Sequence, residues 1–90
     1  MKRDRTTHMT YKDRDGNEIT LQQWTERQKE DRVAWSGSRK GDIMTFWVGV
    51  DIGDGAIFET HLFPARVLLQ KYETELDAIK GHLRWVDRFS

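Results

Sequence analysis

The chain has 90 residues, 15 Lys plus Arg against 15 Asp plus Glu, no cysteine, and four Trp, four Phe and two Tyr. That length sets one small domain, and the missing cysteines exclude a disulfide framework and a thiolate zinc site, so apolar burial or a second copy must close the core. Balanced charge argues against a nucleic-acid backbone as partner. No run nears the ~20 apolar residues of a membrane span, so the expectation is a cytoplasmic protein with no membrane partner.

Residues 1–9, which open with the locally basic MKRDR and hold no apolar leader segment, read as a flexible tail; residues 10–90 read as a single domain. Asp15-Gly16 is a tight-turn pair and predicts a short hairpin in Thr10 to Ile19. Thr20 with Gln23 three residues on is a capping box, and Ile19 with Trp24 is a hydrophobic staple. A helix therefore starts at Leu21, anchored by Leu21 and Trp24 and otherwise polar. Arg32 to Ser36 reads as a strand. The run IMTFWVGVD, Ile43 to Asp51, is the clearest strand, with β-branched and aromatic residues throughout, and AIFETHLF returns after a Gly53-Asp54-Gly55 loop. A three-residue loop places Phe46, Val48 and Val50 on one face with Phe58 and Leu62, leaving Trp47, Asp51, Glu59 and His61 on the other. A two-residue loop would shift this register by one.

Pro64 ends that strand, and ARVLLQKY is a linker or one more strand. Thr74 caps a second helix, with Leu76, Ile79, Leu83 and Val86 as its apolar stripe, widened by Trp85 and Phe89. Gly81 inside it costs about 1 kcal/mol against Ala and points to close packing against a backbone or a large ring. Strands with helices set apart predict an α+β fold, a small antiparallel sheet of about four or five strands covered by two helices.

Several motifs offer chemistry. Asp13, Asp15 and Asn17 match the first ligands of a calcium loop, but Glu18 stands where its glycine belongs and Trp24 where its closing acid belongs, so a hairpin turn is the better reading. Glu59 and His61 lie on one strand face. With Asp51 and His82 they would make a small metal-dependent hydrolase, although a lone pair reads first as an exposed polar contact. No nucleophile elbow or Walker loop is present. Trp35 and Trp47 sit among polar residues, with Arg32, Arg39 and Lys40 nearby. They suit either an aromatic and basic pocket for a phosphate-bearing ligand or a dimer interface.

The order Y-x-D-R-D-G-N-x-I-x-L-x-x-W (Tyr11 to Trp24), RVA (Arg32 to Ala34), T-x-W-x-G-x-D (Thr45 to Asp51), IFET (Ile57 to Thr60) and Y-x-T-E-x-x-A-x-x-G-H (Tyr72 to His82) resembles a group of small proteins of bacteriophages and prophage-bearing bacteria, many actinobacterial. The resemblance runs through most of the chain after Thr10 and departs in shorter loops at Gly53 to Gly55 and around Pro64. It implies a context rather than a reaction. In that context small accessory proteins counter host defence by binding its enzymes or their nucleotide signals. The expectation is a non-enzymatic, homo-oligomeric binder without a cofactor, taking a host protein or a small anionic ligand on Trp47, Asp51, Glu59 and His82, with Arg32 and Trp35 beside them. A virion structural component and the metal-dependent hydrolase are the alternatives.

Overall fold

The computed structural model describes residues 9–90, so the tail reading lies outside the described residues for 1–8. Strands β1 (Thr10–Lys12) and β2 (Glu18–Ile19) form the expected hairpin. Its turn closes on Asp13, whose Oδ1 accepts from the backbone N–H of Asp15 (3.0 Å) and of Asn17 (2.8 Å). That carboxylate oxygen thus closes the hairpin turn. Helix α1 (Leu21–Arg27) starts from the capping box: Thr20 Oγ1 accepts from Gln23 N at 3.1 Å, and Gln23 Oε1 accepts from Thr20 N at 2.9 Å. Trp24 anchors it by donating Nε1–H to the Val48 carbonyl at 2.9 Å, with Ile19 packed beside it on the core. Leu21 is exposed instead. A 3-10 turn, Gln28–Glu30, leads on to β3 (Arg32–Ser38).

Strands β3, β4 (Gly41–Trp47), β6 (Phe58–Phe63) and β7 (Val67–Tyr72) form a four-stranded antiparallel sheet in the order β3-β4-β6-β7. Strand β5 (Val50–Asp51) joins β1 and β2 in a second sheet of order β2-β1-β5. Helix α2 (Glu75–Phe89) is capped by Thr74, whose Oγ1 accepts from Asp77 N, and crosses all four strands of the main sheet. The fold is α+β, as expected. No described helix is long and apolar enough to cross a membrane.

Three expectations are corrected. The long strand from Ile43 breaks after Trp47. Val48 and Gly49 both donate their N–H to the Ile57 carbonyl (2.8 and 3.1 Å), and Gly49 at φ +73° lies against the Trp47 ring, where a Cβ would fall 2.5 Å away. The chain then leaves for the second sheet, so Gly53-Asp54-Gly55 is not a hairpin loop between β4 and β6.

The register is neither of the two that a hairpin loop would set, and its parity is opposite to that of the three-residue loop. Trp47 pairs with Phe58, Phe46 with Glu59, Thr45 with Thr60 and Met44 with His61. Residues opposite each other share a face, so Trp47, Thr45 and Ile43 stand with Phe58 and Thr60 on the inner face, and Phe46 stands with Glu59 on the outer one.

Finally, Leu76 and Leu83 of α2 are each 61% exposed and Ile79 is also exposed, while Ala78, Gly81 and His82 face the sheet. Close packing decides this. A Cβ at Gly81 would collide with the Tyr72 ring, so the helix lies nearer the sheet than a leucine stripe allows. The core between sheet and helix is Trp47, Ile57, Phe58, Tyr72 and Ala78.

Candidate functional site

Strand alternation places Arg32, Trp35, Met44, Phe46, Glu59, His61 and Phe63 on the face of the main sheet opposite α2. No described helix or strand is layered across this face. At its end by α1 lies an open groove of about 310 Å³. Phe46, Glu59, His61 and Phe63 come from the sheet, with the nearly buried Trp47 at its inner wall, Trp24 and Gln28 from α1 and the turn after it, and Arg66 from the loop before β7. Arg66 holds φ +60°, a left-handed conformation that a non-glycine residue adopts at some energetic cost.

Three rings form the groove's floor. Phe46 meets Phe63 edge-on at 6.1 Å and 82°, and His61 lies 6.1 Å from Phe46 and 6.2 Å from Phe63. The His61 ring is oriented by Glu59, with Nε2 to Oε1 at 2.8 Å. A carboxylate only accepts, so Nε2 carries the hydrogen, which leaves Nδ1 as the ring's other polar atom. That Nδ1 and the Nε2 of Gln28 are the two buried side-chain nitrogens without a hydrogen-bond partner among the described residues. Each such omission costs about 1–3 kcal/mol. Both belong to residues of this one groove.

The six residues singled out in the sequence fall in four places. Glu59, Arg32 and Trp35 share the open outer face. The Arg32 guanidinium lies 5.6 Å over the Trp35 ring, and Trp35 is 56% exposed. Trp47 is 1% exposed in the core and donates Nε1–H to the Lys12 carbonyl at 3.0 Å, so it holds the small sheet against the main one. Asp51 lies in β5. The Lys12 ammonium at 2.9 Å, with the N–H groups of Gly53 and Gly55 on Oδ1, lowers its pKa from 3.8 to about 2.

His82 is buried under the sheet. It bonds Thr45 Oγ1 through Nδ1 (2.8 Å) and Ser36 Oγ through Nε2 (2.9 Å), and Thr45 continues the chain to Thr60 (2.6 Å) and Tyr72 (2.9 Å). Burial pushes its pKa below the usual value. A His on a satisfied hydroxyl chain has a structural role.

The set proposed for metal-dependent hydrolysis is therefore not assembled. Glu59 and His61 lie outside the sheet, His82 beneath it and Asp51 in the other sheet, and no described trio of His, Asp or Glu could hold a metal ion. Sequence reasoning missed Phe46, Phe63, Gln28 and Arg66. Phe46 and Phe63 follow from parity once Thr45 and Thr60 are paired inside; Gln28 and Arg66 arrive from loops that no periodicity marks. In comparisons with family models, curated proteins and solved structures, nothing matches this chain.

Proposed function

We propose that this chain is a non-enzymatic binding protein, a phage or prophage accessory factor that captures a host defence protein on the open face of its main sheet. The observation that carries the reading is that face itself. Trp35, Met44, Phe46, Phe63 and Arg32 stand on one side of a sheet with no described layer over them. Aromatic residues, Met and Arg are the types enriched where proteins bind proteins. The phage context rests on the motif order from Tyr11 to His82.

Capture from a host lysate tests it, with Phe46→Asp and Trp35→Ala on the outer face and Leu83→Lys on α2 as control. A partner retained by the wild type and the control, and reduced about tenfold or more by Phe46→Asp, supports the reading. Equal capture by all variants, each folded by circular dichroism, overturns it. A small ligand is the second reading, favoured by the two unpartnered nitrogens of Gln28 and His61 in one groove. It predicts an adduct of a few hundred daltons on the gently purified protein in native mass spectrometry, of the order a drug-sized pocket holds.

A further inference from the structure

Strand β3 is an edge. It pairs with β4 on one side, and on its other side no described strand lies against it. A free edge offers a row of backbone N–H and C=O groups that will pair with any strand brought to it. Proteins guard such edges with lysine, proline, bulges or short strands. The two edges of this sheet differ in that respect. On β7 the ladder is interrupted in its middle, between Thr60 and His61 of the neighbouring strand. On β3 the irregularity sits at the beginning, between Arg32 and Ala34, and Ala34 to Ser38 then pairs residue for residue with Thr45 to Gly41. That regular stretch, Ala34-Trp35-Ser36-Gly37-Ser38, carries no charge and no proline.

Its side chains have a symmetry of their own. Trp35 and Gly37 flank Ser36 on the outer face. Trp35 is 56% exposed, and a Cβ built on Gly37 would meet nothing nearer than Asp42 Oδ1 at 4.0 Å. A bare glycine on a strand leaves backbone open, and a large aromatic residue opposite it on the neighbouring strand covers that opening.

We propose that a second copy of this chain pairs antiparallel along β3, with the two-fold axis at Ser36. Ala34 of each copy then faces Ser38 of the other, and the Trp35 ring of each lies over Gly37 of the other. A two-fold contact needs a self-complementary strip, where residue i meets j and j meets i, and Trp35 with Gly37 supplies one. Four strands from each copy form one continuous sheet of eight, with the two open faces side by side. The ladder is five residues long, below the extent of an obligate interface, so the pairing is concentration-dependent.

Sedimentation velocity from about 1 μM to about 1 mM tests this. The wild type is expected to pass from monomer to dimer across that range. Gly37→Lys removes the covered glycine and adds an edge charge at a position with room for it. Trp35→Lys replaces an exposed ring. Each is expected to weaken dimerisation at least tenfold, about the smallest change that separates clearly, while Leu83→Lys on α2 dimerises as the wild type does. In the dimer the β3 amides are expected to exchange more slowly than in the monomer. A wild type that stays monomeric to the highest concentration overturns the proposal. So does a dimer that survives both β3 variants, or one that Leu83→Lys abolishes. If Gly37→Lys does not fold, Trp35→Lys decides alone. Gly37 is outside the groove, so failure here leaves partner capture through Phe46 standing.

Discussion

At the scale of single residues, Gly81 shows how a local penalty is offset by a packing gain. A glycine inside a helix costs about 1 kcal/mol against alanine. Here it lets the Tyr72 ring lie directly under α2, where the Tyr72 hydroxyl reaches Thr60 at 2.9 Å and ends the chain that begins at Ser36 and His82. Gly81→Ala should regain the helix propensity and lose more through overpacking, which costs about 1–3 kcal/mol in a filled core. The net expectation is destabilisation of up to about 2 kcal/mol, read from the urea midpoint at unchanged slope. A stabilised variant would mean that Tyr72 moves aside at no cost. Trp47 makes the same point from the other direction. Its neighbours in sequence suggest a surface, yet one ring seals the core and its Nε1–H ties β4 to β1 through Lys12.

At the scale of elements, what was legible in the sequence was what is decided locally. The Asp15-Gly16 hairpin, the Thr20 and Thr74 caps and the close approach at Gly81 each depend on a few neighbouring atoms, and each is present. The register of β4 on β6 was not legible, because it depends on where β5 goes. Gly49 turns the chain away to pair with β1, and no loop length between Asp51 and Ala56 encodes that. The face of α2 was misread for a similar reason. Periodicity marks Leu76, Ile79 and Leu83 as a stripe, but the sheet beneath offers Ser36, Thr45, Thr60 and Tyr72, a polar floor that needs His82 and a small residue beside it. For the candidate site, Glu59, His61, Arg32 and Trp35 could be placed on strands, while the loop residues Gln28 and Arg66 could not. The exposed stripe carries a direct expectation. Leu76→Gln with Leu83→Gln should change stability by less than about 0.5 kcal/mol, as surface substitutions do. A loss above about 2 kcal/mol in thermal or urea unfolding, the size of a buried leucine's contribution, would mean that something covers the stripe.

At the scale of the whole molecule, the two sheets and α2 are held by groups that titrate in separate ranges, so acid should loosen the protein in two steps. Burial between α2 and the sheet holds the pKa of His82 below its ordinary 6.5, so the folded form keeps the ring neutral where the unfolded chain already binds a proton. That stability is complete above pH 6.5 and declines as pH falls below it. Asp51 is held at about 2 instead of 3.8, first by Lys12 and then by the Gly53 and Gly55 amides. Its contribution is complete above pH 3.8 and is lost as pH falls toward 2. Both groups take up protons more readily in the unfolded chain, so both slopes have the same sign, and stability rises with pH through each range. His82→Gln removes the titrating ring and should flatten the slope between about pH 7 and pH 5, whatever it costs in absolute stability. Asp51→Asn should leave that slope and reduce the lower one, to which Asp54 beside Lys71 and Glu75 beside Arg14, both also held below their ordinary values, contribute as well. Urea midpoints for the three proteins, at about one-unit steps from pH 8 to pH 3, read both. If the upper slope persists in His82→Gln, another group carries it, and the hydroxyl chain from Ser36 to Tyr72 is not the part of the fold that acid opens first.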